Sequence, residues 1–253
     1  MTGVAARFRL DGKRALVTGA GAGIGRATAL ALAELGAGVI ASDRDAAAAA
    51  ATAGLVPGAQ ALALDVTDQP AVAAAFAEMA GAGGLDILVN NAGRGARVPA
   101  TDMATADWDA VLAVNLSGAF HCARAAAPLL RARGGGAVVN VASIMGLVGG
   151  GLYPNAAYHA SKGGLVTLTK ALALEWAGDG IRVNAVAPTF ARTPLTERLL
   201  SDAAMERAIV GQTPLGRLVE PEEVAAAIAF LASDAAAMIT GVTLPVDGGW
   251  LAR

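Results

Sequence analysis

The chain of 253 residues is long enough for one large α/β domain with a substantial core, and its formal net charge of −2 offers no basic surface for nucleic acid. Apolar residues make up 55% of the sequence, and the mean hydropathy is +0.53. These values do not indicate a membrane protein, because charged residues or glycines interrupt every apolar stretch before the ~18 residues that a spanning helix needs.

Seven apolar segments alternate along the chain with alanine-rich segments. The apolar segments predict strands at Arg14–Thr18, Val39–Ser42, Ala61–Asp65, Ile87–Asn90, Ala137–Ala142, Arg182–Val186 and Thr243–Val246. The alanine-rich segments predict helices near 24–35, 68–80, 105–132, 157–177 and 221–233, with a further solvent-facing helix at 45–55. Continuously apolar strands are typical of a parallel sheet that is buried on both faces. We therefore expect a doubly wound α/β fold of about seven strands, with helices on both faces, as a single domain over 1–253.

The glycine-rich segment TGAGAGIG follows the first strand and opens the first helix. Gly19, Gly23 and Gly25 let the backbone turn sharply and approach a pyrophosphate, which the amide groups at the helix N-terminus can bind. The second strand ends at Asp43, whose carboxylate would hydrogen-bond the ribose hydroxyls of NAD and repel the 2′-phosphate of NADP. Arg44 follows directly and could pair with that phosphate instead. We expect a dinucleotide site that favours NAD over NADP.

Tyr158 stands four residues before Lys162 in the segment AAYHASKGG, within a predicted helix. Side chains at this spacing share a helix face, with Cβ atoms ~5–6 Å apart. A tyrosine with its ordinary pKa near ~10 is a poor base at neutral pH, but a nearby cation stabilises the phenolate and lowers that pKa. Ser143 follows a predicted strand, at the edge where open α/β sheets bind ligands. The three side chains predict acid/base chemistry, although a Tyr-x3-Lys pair alone is as often structural.

These motifs resemble the short-chain dehydrogenase/reductase family, in its compact single-domain branch, over nearly the whole chain. They stand in the family's order: TGAGAGIG (Thr18–Gly25), Asp65–Val66, NNAG (Asn90–Gly93), Asn115 in AVNLSG, Ser143, YHASK (Tyr158–Lys162), RVNAVAP (Arg182–Pro188) and VDGG (Val246–Gly249). The resemblance implies a Rossmann-type fold and an NAD(P)-dependent oxidoreductase that acts on CH–OH groups.

The resemblance also implies a role for individual residues. Tyr158 would be the general base in alcohol oxidation and the acid in ketone reduction. Lys162 would hold the nicotinamide ribose and lower the pKa of Tyr158. Ser143 would orient the substrate oxygen, and Asn115 would anchor a water in a proton relay through Lys162. The cofactor would lie against Gly19, Gly23, Ile24, Gly25, Asp43, Arg44, Asp65, Val66, Asn91, Ala92, Gly93, Tyr158, Lys162, Pro188 and Thr193.

The segment after the sixth predicted strand departs from the family's pattern. Thr189 follows Pro188 where the family usually has glycine. Because threonine avoids positive φ, the loop beside the nicotinamide would be set differently. The segment 189–215 that begins here would form a lid over the substrate.

The spacing between two of the expected catalytic residues is a second departure. Ser143 and Tyr158 lie about two residues further apart than is usual in the family, and the intervening segment normally walls the substrate pocket. The insertion makes Leu152, Tyr153 and Asn155 candidate substrate contacts. A surface bulge without function is the alternative.

We expect an NAD-dependent oxidoreductase that transfers a hydride between nicotinamide and a secondary alcohol or ketone. Similarity to polyol and gluconate-type members favours a polyol, sugar or sugar acid as substrate. One alternative is a 3-oxoacyl-thioester reductase using NADPH, and another is a dehydrogenase of small aromatic or aliphatic carbinols. A non-catalytic NAD-binding protein is disfavoured because Ser143, Tyr158 and Lys162 are all present.

The remaining expectations concern partners and location. The single cysteine, Cys122, excludes an internal disulfide, and the first dozen residues lack the apolar core of a signal peptide, so we expect a cytoplasmic protein. Cys122, His121 and His159 are too few soft ligands for a cluster, so we expect no metal site. The resemblance implies a homotetramer, in which helices 105–132 and 157–177 pair across one two-fold axis. We expect neither a nucleic acid nor a membrane as a partner.

Overall fold

Seven parallel strands form one sheet, in the order β3-β2-β1-β4-β5-β6-β7, within residues 3–252, which this computed structural model describes. The strands are β1 (Arg14–Thr18), β2 (Gly38–Asp43), β3 (Gln60–Ala63), β4 (Ile87–Asn90), β5 (Gly136–Val141), β6 (Ile181–Pro188) and β7 (Thr243–Val246). The direction of winding reverses between β1 and β4, so right-handed connections place helices on both faces. The predicted Rossmann-type, doubly wound fold is confirmed.

Helices connect the strands and cover the sheet. The α-helices are α1 (Gly23–Glu34), α2 (Ala46–Ala53), α3 (Gln69–Gly81), α4 (Thr105–Leu112), α5 (Ala119–Ala132), α6 (Ala156–Trp176), α7 (Glu197–Leu200), α8 (Ala203–Gln212) and α9 (Pro221–Ala232). Short 3-10 turns lie at Val4–Phe8, Ile144–Gly146, Ala177–Asp179, Asp234–Ala236 and Trp250–Ala252. Across residues 3–252, no helix has the length and apolar character needed to cross a membrane.

The predicted helix at 105–132 is present with these bounds, but it is not α-helical throughout. A π-helical segment, Ala113–Gly118, separates α4 from α5. Its wider turn carries Asn115, whose side chain exchanges hydrogen bonds with the backbone of Arg94 in the loop after β4. Such segments often lie at functional sites because they redirect a side chain without ending the helix.

The strand after α2 also differs from its predicted bounds of Ala61–Asp65. Pairing with β2 ends at Ala63, and Asp65 already belongs to a turn. There its carboxylate accepts hydrogen bonds from the backbone amide and the hydroxyl of Thr67. A side chain that bonds the local backbone in this way competes with the strand and ends it.

The two faces of the sheet bury separate apolar layers. In β1, Leu16 belongs to the layer formed with α3, α5 and α6, whereas Ala15 and Val17 belong to the layer formed with α1 and α9. Successive strand residues point to opposite faces, so a strand that is covered on both sides is apolar throughout. This is the physical basis of the continuous apolar runs in the sequence.

A chain of buried side-chain hydrogen bonds ties two central strands to the helix that carries the expected catalytic pair. Asn90 of β4 donates from Nδ2 to Oδ1 of Asn140 in β5, at 2.9 Å. Asn140 in turn donates from Nδ2 to Oγ1 of Thr169 in α6, also at 2.9 Å. All three side chains are at least 95% buried. The register of α6 against the sheet is therefore fixed by directional bonds as well as by packing.

Removing the last partner of this chain should destabilise the fold. Thr169→Val keeps the side-chain shape but leaves a buried amide hydrogen of Asn140 unpaired, so we expect the free energy of unfolding to fall by about 1–3 kcal/mol. Thr167→Val is the matched control, because Thr167 is exposed on the same helix, and its effect should stay within about 0.5 kcal/mol. Urea unfolding of both variants measures the difference. Equal effects would show that the buried bond contributes nothing specific.

Candidate active site

A large cleft of about 800 Å³ opens at the carboxyl ends of the strands, beside the switch point between β1 and β4. Ligands of open α/β sheets bind at this place. The cleft is lined by every residue that the sequence predicts for cofactor binding, from Gly19 in the glycine-rich loop to Thr193 after β6. The structure therefore brings the ends of five strands, with the segments that follow them, and the first turns of α6 together at one surface.

The glycine-rich loop presents bare backbone to the cleft. A β-carbon on Gly25 would lie 2.2 Å from the carbonyl oxygen of Gly19, and one on Gly19 would lie 2.8 Å from Cα of Ala92. Side chains are thus excluded at these positions, and Gly19 also has a positive φ of 63°. The cradle leads into the N-terminus of α1, where unpaired amides favour an anion. The residues present fit the pyrophosphate of a nicotinamide dinucleotide.

Side chains outside the recognised motif hold this loop in place. Arg26 donates to the carbonyl oxygen of Gly21 and, from Nε, to Oγ1 of Thr52 at 3.1 Å. Thr52 donates in turn to the carbonyl oxygen of Ala20 at 2.8 Å. The sequence interpretation missed this clamp. Its signal was the single threonine in the alanine run of α2.

Asp43 lies at the end of β2, on the wall of the cleft. Its Oδ2 accepts a hydrogen bond from the backbone amide of Gly21, and its Oδ1 accepts one from the amide of Asp45, both at 3.0 Å. Two bonds hold the carboxylate rigidly beside the glycine-rich loop, where a dinucleotide would place its adenosine ribose. Arg44 is exposed on the same wall. Both residues expected to influence the choice between NAD and NADP, Asp43 and Arg44, therefore line this wall.

Ser143, Tyr158 and Lys162 meet between β5 and the first turns of α6. Ser143 follows β5 and accepts a hydrogen bond at Oγ from the amide of Met145, at 3.1 Å. Lys162 donates from Nζ to the carbonyl oxygen of Val141, at 2.6 Å, and the same Nζ lies 5.6 Å from the centre of the Tyr158 ring. The predicted shared face of Tyr158 and Lys162 is present in the folded chain.

Burial shifts the two titrating groups in opposite directions, because it disfavours each charged form. It raises the pKa of Tyr158 to about 12, and a hydrogen bond with Ser143 opposes this rise. Burial also lowers the pKa of Lys162 to about 8. Within the protein the group that stabilises the phenolate most directly is therefore Ser143, whereas the Lys162 ammonium is bonded to Val141.

Asn115 is 1% exposed and lies behind the cleft. Its Nδ2 donates to the carbonyl oxygen of Arg94 and to Oγ of Ser161, both at 2.9 Å. Oγ of Ser161 donates to the carbonyl oxygen of Tyr158 at 2.8 Å. Both amide hydrogens of Asn115 are thus used within the protein, so its side chain joins the loop after β4 to α6.

A small pocket of about 50 Å³ adjoins the cleft and shares residues with it. Ser143, Tyr158 and Thr189 line both spaces, and Tyr153 and Asn155 line the small pocket. The other lining residues are Gly95, Arg97, Ile144, Met145, Phe190, Leu195 and Thr196. The pocket lies beside Ser143 and Tyr158, which carry the hydroxyl groups expected to bind the substrate oxygen, so it is the candidate substrate site.

Leu152 is not among the residues that line the pocket, although the sequence offered it as a substrate contact. It packs into an apolar cluster with Phe190 and Trp250. The Phe190 ring lies 6.2 Å from that of Tyr153 and 5.7 Å from that of Trp250, measured between ring centres. Sequence reasoning missed Phe190 as a wall of the pocket, since an aromatic residue in a loop carries no motif.

The loop after β6 tolerates threonine in place of glycine. Among residues 3–252 only glycines have positive φ, so Thr189 is unstrained. Its amide donates to the carbonyl oxygen of Val246 at 3.1 Å. Further along the proposed lid, Leu195 accepts a hydrogen bond at its carbonyl oxygen from Arg97, at 3.0 Å, and the Arg97 guanidinium lies 5.4 Å from the centre of the Tyr153 ring.

Comparisons with known proteins agree with this geometry. The family model described as enoyl-(acyl carrier protein) reductase matches residues 19–251. D-threitol dehydrogenase of Mycolicibacterium smegmatis is 46% identical over 248 residues, which cover 96% of this chain and 94% of that protein.

Two solved structures show the same fold over nearly the whole chain. A short-chain type dehydrogenase/reductase from Mycobacterium marinum is 37% identical, with a TM-score of 0.95 over 99% of this chain and 100% of that one. A gluconate 5-dehydrogenase from Burkholderia cenocepacia J2315, in complex with NADP and tartrate, is 39% identical, with a TM-score of 0.94 over 99% and 100%. The chain therefore belongs to the short-chain dehydrogenase/reductase family and is a nicotinamide-dependent oxidoreductase acting on CH–OH groups.

Proposed function

We propose that this protein oxidises a secondary alcohol, or reduces the corresponding ketone, and that its substrate is a polyol, sugar or sugar acid. One observation carries the proposal: Ser143 and Tyr158 line both the small pocket and the large cleft. A substrate oxygen held by these two side chains would face the cofactor. The similarity to a D-threitol dehydrogenase and a gluconate 5-dehydrogenase supports the substrate class.

The chemistry divides between the two spaces. When bound in the cleft, the nicotinamide ring supplies the hydride acceptor in oxidation and the hydride donor in reduction. Tyr158 takes the hydroxyl proton of the alcohol in oxidation and returns a proton to the carbonyl oxygen in reduction. Ser143 hydrogen-bonds the same substrate oxygen and holds it within reach of the Tyr158 hydroxyl. The charged Lys162, whose Nζ lies 5.6 Å from the centre of the Tyr158 ring, favours the phenolate once the proton has moved.

We infer that NAD is the preferred cofactor. The carboxylate of Asp43 is fixed at the cleft wall by two amide hydrogen bonds, so it cannot swing away from a 2′-phosphate. Arg44 is the residue that would support NADP instead, and NADP is the cofactor in the B. cenocepacia structure. NAD is preferred if the fixed charge of Asp43 repels the 2′-phosphate of NADP more strongly than the exposed Arg44 attracts it.

Three further proposals follow from the family and from the loop contacts. The segment 189–215 would act as a lid, held to the pocket by the bond from Arg97 to Leu195. The whole chain, 1–253, would act as a single catalytic domain. Active molecules would be cytoplasmic homotetramers, as is common in the family.

The proposed activity is tested by following nicotinamide absorbance with the purified chain. We expect oxidation of polyols or sugar acids with NAD, and at least a 100-fold lower kcat for Tyr158→Phe, because that variant cannot exchange a proton with the substrate. Binding of NADH by the variant should persist.

The chain's other tyrosine gives a matched comparison. Tyr153→Phe also removes a phenolic hydroxyl from the pocket wall, but it keeps the hydroxyl of Tyr158 at the junction with the cleft. The kcat of Tyr153→Phe should therefore be at least tenfold higher than that of Tyr158→Phe. Equal activity of wild type and Tyr158→Phe would contradict the proposed chemistry. Turnover confined to a 3-oxoacyl thioester with NADPH would contradict the substrate class.

Removing the charge of Asp43 should change the cofactor preference. Asp43→Asn preserves the size of the side chain and one acceptor oxygen, but it removes the charge that repels the 2′-phosphate of NADP. We therefore expect kcat/KM with NADP to rise about tenfold relative to kcat/KM with NAD. Asp45→Asn is the control, because Asp45 caps α2 and does not line the cleft. A wild type that prefers NADP would refute the assignment to Asp43 and favour Arg44.

A further inference from the structure

Asn155 stands at the N-cap of α6 but does not cap it. Asparagine is favoured at this position because its side-chain oxygen accepts a hydrogen bond from an amide two or three residues further on. Here no such bond forms, and Oδ1 is buried without a partner among residues 3–252. The residue is 5% exposed and lines the small pocket. An acceptor that could have capped the helix is therefore unused, and it belongs to a residue of the pocket wall.

The backbone of Asn155 is held by the first turn of α6. Its backbone carbonyl oxygen accepts a hydrogen bond from the backbone amide of His159 at 3.1 Å and lies 2.8 Å from Nδ1 of the same residue. The backbone carbonyl of Asn155 is thus engaged with His159, whereas Oδ1 of its side chain stays free.

The free oxygen borders the same space as the Tyr158 ring. A β-carbon on Gly95 would lie 3.8 Å from Cδ2 of Tyr158 and 3.9 Å from Oδ1 of Asn155. Gly95 therefore leaves a gap between the Tyr158 ring and Oδ1 of Asn155, which a methyl group would fill at ordinary contact distance. An amide oxygen accepts hydrogen bonds, and a hydroxyl group of a polyhydroxy compound can donate one to it.

We infer that Asn155 determines specificity for substrates with a hydroxyl on the carbon next to the reacting one, that is, for vicinal diols. This inference rests on the proposed function, in which Ser143 and Tyr158 bind the reacting oxygen. Oδ1 of Asn155 accepts the hydrogen bond of the second hydroxyl. A substrate without that hydroxyl leaves a buried acceptor unpaired, which lowers its kcat/KM.

The test compares butane-2,3-diol with butan-2-ol as substrates of the purified full chain with NAD and, in parallel, NADP. We expect kcat/KM of the wild type to be about ten- to 100-fold higher for the diol, as for one buried hydrogen bond. In Asn155→Leu, which has a similar volume and no acceptor, this preference should fall at least tenfold.

Gly95→Ala is a second variant, which does not alter Asn155 itself. Its β-carbon would meet both neighbours at ordinary contact distance, so the fold is kept while the gap is filled, and the diol preference should again fall. Gly149→Ala is the matched control, because a β-carbon there would meet nothing within 4 Å. This control should keep the wild-type ratio.

The outcomes separate this inference from the proposed function. Turnover of both alcohols with equal kcat/KM by the wild type would keep the proposed function and overturn the role of Asn155. A wild-type ratio in either Asn155→Leu or Gly95→Ala would also overturn it. Absence of turnover with either alcohol and with polyols and sugar acids, despite NADH binding, would overturn the proposed function and this inference with it.

Discussion

The buried ammonium group of Lys162 determines where the reacting side chains meet. It is 3% exposed, and its Nζ donates to the carbonyl oxygen of Val141, the last residue of β5. Moving a lysine out of water is unfavourable, which is why burial lowers its pKa to about 8. The bond connects α6 to β5. It therefore places Tyr158, one turn earlier on α6, against Ser143, two residues beyond Val141.

Around this contact, most polar side chains are bonded within the protein. Asn115 joins the loop after β4 to α6, and Asn140 joins β5 to α6. Two residues of the pocket wall each carry a buried oxygen without a partner in the described part of the chain: Oδ1 of Asn155 and Oγ1 of Thr189. Unpaired buried oxygens are unfavourable unless a ligand pairs them. Hydrogen bonds within the protein thus fix the side chains around the pocket, whereas a few polar groups in its wall stay available to bind substrate.

Much of the fold could be predicted from the sequence, because its signals are local. The strands Arg14–Thr18, Ile87–Asn90 and Thr243–Val246 have their predicted bounds, since each is an apolar run between polar or glycine residues. The predicted cofactor residues gather in one cleft because strand ends in a parallel sheet share an edge. In both cases the residue types and their order along the chain are sufficient for the prediction.

Features that depend on contacts between distant segments could not be predicted. The π-helical turn at Ala113–Gly118 requires the loop of Arg94 to reach Asn115, and the clamp between Arg26 and Thr52 requires α1 to pack beside α2. Leu152 was expected in the pocket but packs in the apolar cluster with Phe190 and Trp250, because loop conformation decides which of several neighbouring side chains lines the pocket.

Catalysis in this site depends on Tyr158, which exchanges the proton while burial keeps its phenol neutral. The most direct test is the pH dependence of kcat/KM at saturating cofactor, measured in both directions. Because burial raises the pKa of Tyr158, the phenolate needed for oxidation grows as pH rises, and the phenol needed for reduction is retained at low pH. We expect oxidation to accelerate from pH 6 to 9 and reduction not to accelerate over this range. Two profiles that are flat, or that rise together, would contradict it.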